Sequence, residues 1–490
     1  MTYKHGTYGD FAKSIARNAE SSPTTAVYVG TAPVNLVLGY AEKNVVNAPI
    51  LLQSYRDAYD NVGYSGDWNS FTICEAIKTH FDNPSGNIGG IVVINVLDPA
   101  IHKKASATTR TLTFVNGKAV FESDTIILDS LVLADKVKDV DFSVSYNFEA
   151  KRVVIDSIGT KLTGNVEATY SEIDTAAVTA EIIIGEATND GSYKGLGALE
   201  LVNQTLNRIP NLIVAPKWSA IPEVYEAMID ASSKINGHWD AFVLADIPIT
   251  DEGKKIDTID AALKWATDHG YNSERTKVCW PMATLVSGDI VHTSTLNAWA
   301  MLHVDATHNG IPMETPSNIS VPVAKQYFGV ESTNRGFDQF RANALNEKGI
   351  STVVYFGGRW VLWGNHTAAY AYGNVEDNRV IFDNNVRMMM YISNSFQKDW
   401  ATTIDAPMTL AMSDTIKQRE QEKADALAAI GALIGTPVVI FDKTSNVEGE
   451  LIEGNFVWDF VGTPTPPMKS ATLRVAYSTE GFSAYFGEEV

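Results

Sequence analysis

The segment LIVAPKWSAIPEVYEAMIDASSKINGHWDAFVLAD, from Leu212 to Asp246, carries the reading that decides the fold. Leu212 to Ala215 is a short apolar run of the kind that a sheet buries on both faces. Ile221, Val224, Met228, Ser232 and Ile235 then recur at helical spacing, and Phe242 to Ala245 is a second buried-type strand. Strand, covering helix and strand again make the repeating unit of a parallel sheet.

The same alternation extends in both directions. Upstream, the apolar run Ile182 to Ile184 precedes a helix from Gly195 to Arg208 that shows Leu196, Leu199, Val202 and Leu206. Downstream, a helix opened by Asp257, with Asp260 three residues on in the manner of a capping box, leads to a strand from Lys277 to Trp280. Nearer the N-terminus, Val27–Val29, Leu36–Leu38 and Ile50–Leu52 read as short strands. A helix capped by Asn69 or Ser70 aligns Phe71, Cys74, Ile77 and Phe81, and Ile91 to Leu97 is a buried strand. The expected class is therefore α/β, a mostly parallel sheet flanked by helices.

Two stretches depart from it. From Thr111 to Ile158 the chain alternates with period two, turns at Asn116-Gly117, and sets Phe142, Val144, Tyr146 and Phe148 on one face. It reads as a small all-β domain inserted at an exposed loop, where closure entropy grows slowly with length. Near the C-terminus, a helix from Met412 to Ile434 is polar first and apolar later, at Leu427, Ile430 and Ile434. Strand candidates follow at Val438–Phe441, Phe456–Phe460 and, past the breaker TPTPP, Ala471–Tyr477. The ends are thus strand-forming N- and C-terminal arms, surplus to the central layer. The expected division is an N-terminal arm at 1–30, the first part of the α/β core at 31–104, the inserted β domain at 105–181 and the core continued at 182–400. A C-terminal domain at 401–467 and a C-terminal arm at 468–490 complete it.

With 490 residues, 45% hydrophobic and 20% charged, the chain has a globular composition and room for several domains. The formal charge of −20 and the lack of a Lys/Arg stripe argue against nucleic acid as a partner. Cys74 and Cys279, both in apolar surroundings, read as buried free thiols. No apolar h-region opens the chain and no run of ~18 apolar residues occurs, so direct membrane insertion is not expected.

His292, His303, Asp305 and His308 tempt a metal reading but match no zinc spacing, and turns or an interface explain them as well. GEATNDGSYKGLG, Gly185 to Gly197, stands where a phosphate loop would but lacks the GxxxxGK[ST] order. Asp240, Asp246 and Asp251 lie at or after a strand end, and caps and turns account for them equally. Trp360, Trp363, Tyr370 and Tyr372 fit a core or a subunit interface better than a ligand platform. No catalytic, cofactor-binding or metal residue is expected, and a structural role follows. An α/β enzyme with a β-rich accessory domain and a non-contractile shell protein stand as the alternatives.

Four blocks carry a resemblance: HGTYGDF (His5–Phe11) with GTAPVN (Gly30–Asn35); FTICEAIKTHFDN with GGIVVINVLDPAIHK, within Phe71–Lys103; CWPMATLVSGDIVHTSTLNAWAMLHVDATHNGIPMETPSN (Cys279–Asn318); and GGRWVLWGNHTAAYAYGNVEDNRVIFDNNVRMMMYIS (Gly357–Ser393). In this order they resemble the contractile tail sheath proteins of bacteriophages and of phage-tail-like, R-type bacteriocins of Gram-positive bacteria. The resemblance implies stacked six-fold rings in a helical sheath around an inner tail tube protein, bounded by baseplate and tail terminator proteins. It implies assembly in the host cytoplasm, release by lysis, and contraction that drives the tube through a target envelope. It also implies terminal arms that pair with neighbouring copies, mapped here to Thr25, Val27 and Val29 (or the residues just before Thr24) and to Thr472, Leu473, Val475, Tyr477, Phe482 and Tyr485. Hinges are expected at Lys4–Gly9 and Gly462–Met468. A tube-facing helix is expected at Met412–Ala426, with Lys417, Arg419, Glu420 and Lys423 toward the tube. The inserted domain is expected on the outer surface.

Overall fold

Val27, Tyr28 and Val29 have no exposed surface, because their strand lies in the middle of the main sheet. The structure is a computed structural model and describes residues 20–21, 24–375 and 377–487. The main sheet contains Ala26–Gly30 (β1), Pro49–Leu52 (β2), Ile91–Asn95 (β3), Leu212–Val214 (β4), Phe242–Asp246 (β5), Thr276–Cys279 (β6), Ile350–Phe356 (β7) and Arg359–Trp363 (β8). Their spatial order is β8-β7-β6-β5-β4-β1-β3-β2. The six inner strands run parallel, and an antiparallel strand closes each margin. Both faces are covered, so the inner strands read as continuous apolar runs.

Helices Ile73–Phe81 (α1), Pro222–Ala231 (α2), Ile259–Asp268 (α3) and Thr293–Thr307 (α4) accompany this sheet. Every residue of α4 from Thr293 to Leu302 is buried. Polar side chains on a helix enclosed all round need internal partners: Thr293 Oγ1 donates to Pro281 O and Asn297 Nδ2 to Thr293 O.

Several local expectations are corrected. Ile182–Ile184 end a short helix, Ala180–Ile184, that stops at Gly185 with φ of +56°. Leu36 belongs to a 3-10 turn at Val34–Leu36. The helix expected at 195–208 is a 3-10 turn, Leu196–Glu200, followed by an α-helix, Leu201–Leu206. Thr258, not Asp257, caps α3, its hydroxyl accepting Ala261 N; the Asp257 carboxylate accepts from Ser332 Oγ instead.

Between Thr108 and Tyr170, six strands build two three-stranded sheets around Leu112, Phe114, Phe142, Val144, Val153 and Ile155. Asn116 and Gly117 both have positive φ, 53° and 81°, as a tight hairpin turn requires. This unit is fastened to the α/β body. Asn35 Nδ2 donates to the carbonyls of Asp124 and Ile126. Asp124 accepts from Tyr146 Oη at 2.6 Å and from Ser65 Oγ. Tyr59 stacks on Phe148 at 4.6 Å.

Candidate assembly surfaces

The C-terminal region is built on helices Asp383–Trp400 (α5) and Leu410–Ala429 (α6) and on strands Leu433–Ile440 (β9) and Asp459–Pro464 (β10). Ser413, Ile416, Ala424 and Leu427 recur along one side of α6 and are its buried residues. Met388, Leu427, Ala432 and Leu433 form the small core that this region shares. Gln421 ties the helix to the strand pair, accepting Val439 N at 2.9 Å and donating to Pro437 O at 2.9 Å. It bridges the point where β9 shifts register against β10.

This sheet has two strands among the described residues, and a pair this small relies on its packing against α6. Ile434, Val438 and Val461 remain well exposed on it. Gln421 occupies part of the outer edge of β9, so the outer edge of β10 is the better template for another strand.

The chain then runs through Pro464, Thr465, Pro466 and Pro467. Thr465 is held, its N donating to Ala432 O at 3.1 Å and its Oγ1 to Gly431 O at 2.6 Å. Beyond it, among the described residues, no backbone hydrogen bond ties 466–478 to the body. Leu473 and Val475 are each 86% exposed, and Tyr477 and Tyr485 nearly as much. The segment expected as a strand is therefore unpaired within its own chain, and a short 3-10 turn, Glu480–Phe486, follows it. Of the stretch Gly462–Met468 expected as a hinge, Gly462 to Pro464 are inside β10.

The N-terminal mapping is corrected. Val27 and Val29 pair with β4 and β3 on either side, and Thr25 N donates to Asn211 Oδ1. These residues belong to the sheet and have no edge to lend. Glu20–Ser21 pairs in parallel with Ile88–Gly89. The block at His5–Phe11 and the hinge at Lys4–Gly9 lie outside the described residues.

On α6 the expected charges divide. Lys417 and Arg419 are exposed. Glu420 is turned inward, its side chain 11% exposed, where it accepts Trp400 Nε1 at 2.7 Å. Lys423 bridges Asp399 at 2.7 Å and Glu420 at 2.6 Å, and burial is more than offset by these two carboxylates, which raise its pKa. Glu420 and Lys423 thus fasten α6 to α5, and Arg419, though exposed, lies over the Trp400 ring at 5.7 Å, leaving Lys417 as the outward charge. Trp400 and Gln421, which organise this contact, were not singled out in the sequence. A Trp closing one helix and a Glu within the next were its only trace.

His292, His303, Asp305 and His308 do not gather at one site. His292 N and Nδ1 both meet the Glu75 carboxylate, at 2.8 and 2.7 Å. Burial opposes the His292 charge, but Glu75 outweighs it and lifts the imidazole to about 9. Asp246 receives Ser294 N at 3.0 Å and Ser294 Oγ, and burial pushes its carboxyl up to about 6. His303 stacks on Trp299 at 5.3 Å, His308 pairs with Glu314 at 3.2 Å, and Asp305 is bound by Arg387 and Thr24. The four residues considered as a metal candidate share none of these partners.

The remaining candidates are similarly occupied. Asp240 pairs with Arg275 at 2.8 Å and Lys234 at 3.2 Å, and Asp251 accepts Trp265 Nε1 at 2.9 Å. Gly185–Ala187 and Tyr193–Gly195 pair as a hairpin. A Cβ at Gly185 would sit 2.0 Å from Lys194 O, so this segment is backbone packed on backbone. Cys74 and Cys279 are buried, and burial raises both thiols. Trp363 packs on Phe356 and Tyr370 on His366, while Tyr372 stays exposed.

No family model matches the chain. A tail sheath protein of Burkholderia phage BcepMu is 26% identical over 99% of this chain and 98% of its own length. A putative prophage major tail sheath protein of Pseudomonas aeruginosa is 26% identical over 62% of this chain and 74% of its own length. These sources give no ground for restricting the origin to Gram-positive bacteria. Among solved structures, the sheath of an extracellular contractile injection system in its contracted state superposes with a TM-score of 0.56 at 11% identity, covering 98% of this chain and 99% of the other. The six-fold symmetrised baseplate of the anti-feeding prophage gives 0.55 at 13% identity, covering 98% and 100%. The chain is a homologue of phage and prophage tail sheath proteins, with the mixed α/β fold of contractile injection-system sheaths.

Proposed function

We propose that this chain is the repeating subunit of a contractile tail sheath, a structural protein and not an enzyme. Copies stack in six-fold rings as a helical sleeve around an inner tube protein, bounded by baseplate and tail terminator proteins. They form in the host cytoplasm and leave in the particle on lysis. The sleeve is metastable when extended and shortens to drive the tube through a target envelope. Neither nucleic acid nor membrane insertion enters this cycle.

One observation carries the reading beyond homology. Among the described residues, 466–478 leave their backbone groups without partners in their own chain, next to a strand pair that no third strand extends. Strand addition satisfies both at once. A head-to-tail link of this kind builds an open helical lattice, and bodies can repack while linked, releasing energy stored at assembly. The N-terminal counterpart falls to residues before Thr24, the outward charges of α6 to the tube, and the β unit at 105–181 to the outer surface.

Electron microscopy of the purified chain tests this. Striated sleeves are expected. Discrete small particles with a turnover activity would support an enzyme instead, and flat two-dimensional lattices a non-contractile shell.

A further inference from the structure

Among the described residues, the C-terminal segment meets the body beyond its tandem prolines at Lys469. Lys469 Nζ lies 3.3 Å from Tyr370 Oη, and stands 5.3 Å from the centre of the Tyr370 ring and 5.9 Å from that of Tyr372. The Tyr370 ring is packed, and Tyr372 is anchored through its main chain. Tyr370 stacks on His366 with centroids 3.5 Å apart and planes 5° from parallel. His366 in turn stacks on Phe382 at 5.2 Å. Tyr372 N donates to Glu347 O at 2.9 Å.

Thr465 is the other point of attachment. Between the two lie Pro466 and Pro467, whose rings fix φ and remove amide donors. A stiff link held at both ends defines a direction, whereas the same link held only at Thr465 sweeps a cone. Past Lys469 the apolar side chains of Leu473, Val475 and Tyr477 point into solvent, and the direction of departure decides where they are presented.

We propose that the Lys469 ammonium, seated on Tyr370 and Tyr372, is a clasp that aims the C-terminal arm toward the neighbouring copy that captures it. The clasp is a property of the isolated chain; its consequence for assembly rests on the strand-exchange reading above. An exposed cation–π contact is weak, so the clasp steers the arm without locking it, and the arm can turn when bodies repack.

The test uses the full-length chain, diluted below the concentration at which it polymerises. Spin labels are attached at Leu473→Cys and Lys348→Cys, both exposed positions; the native cysteines are buried. Lys469→Ala and Tyr372→Ala are expected to broaden the label-to-label distance distribution about twofold or more, and Lys469→Arg, which still stacks on aromatic rings, to leave it narrow. An unchanged width in Lys469→Ala overturns the clasp. At assembling concentrations Lys469→Ala is expected to slow sleeve formation several-fold while the finished sleeves look normal; wild-type kinetics overturn the aiming role. If a chain lacking 471–490 polymerises normally, it is strand exchange that fails, and the distance measurement still reads the clasp by itself.

Discussion

Lys277 Nζ and Asp383 Oδ2 meet at 2.5 Å with neither side chain exposed. The pair joins β6, inside the main sheet, to the first residue of α5, the helix on which the assembly region stands. Gly364 O and Thr315 Oγ1 complete the coordination of the two charges. Removing one partner of a buried pair leaves an uncompensated charge, which costs about 3–5 kcal/mol. Lys277→Met is expected to lower stability by that amount in urea unfolding. Adding Asp383→Asn restores about 1 kcal/mol or more, because the stranded charge is gone. A double variant no more stable than the single one contradicts this account.

Deleting 471–490 removes no buried side chain among the described residues. The shortened chain is expected to keep the wild-type melting temperature and circular dichroism but to form no sleeves. Sleeves of normal length from this truncation would count against strand exchange.

The division of charges on α6 gives opposite expectations for two neighbours. Lys417→Glu alters an exposed side chain and is expected to change stability by less than about 0.5 kcal/mol. It is expected to weaken co-assembly with the tube protein, more so at low salt, since exposed charges are screened. Glu420→Ala strips Trp400 Nε1 and Lys423 of a shared acceptor and is expected to cost about 1–3 kcal/mol. Thermal unfolding and co-sedimentation separate the two effects, and the idea fails if Lys417→Glu is the more destabilising.

The Glu75–His292 contact predicts a pH dependence. His292 is raised to about 9 in the folded chain, above ~6.5 for a free imidazole. The folded state therefore binds more protons between these values, so its stabilisation is complete below pH ~6.5 and lost as pH rises toward 9. Asp246, raised to about 6 by burial, acts in a lower window: stability falls as pH rises from ~4 to 6, since the unfolded carboxyl ionises first. Melting temperature is expected to drop between pH 6.5 and 9, and His292→Gln to flatten that slope. An equal slope in the variant refutes the assignment.

The inner strands could be read from the sequence because burial on both faces leaves continuous apolar runs such as Leu212–Val214 and Phe242–Ala245. The same property misplaced Val27 and Val29. A continuous run does not say whether its partners come from its own chain, and here β3 and β4 supply them from distant positions. Ile182–Ile184 are β-branched yet helical, held between Thr179 and a glycine with positive φ. On α6 charged residues follow one another closely, so nothing separates Glu420 from Lys417 until Trp400 of the preceding helix is placed beside Glu420. The C-terminal segment was recognised as surplus from its strand-forming residues, but its fastening at Lys469 left no mark in the pattern.

The tandem Pro466–Pro467 has a directional consequence. Lacking amide hydrogens, these residues cannot continue the β10 ladder, so the tail is prevented from zipping back along its parent hairpin and satisfying itself. Self-closure would leave a contented monomer and no polymer. By breaking the register just past Pro464, the chain keeps its last strand hungry until another molecule arrives.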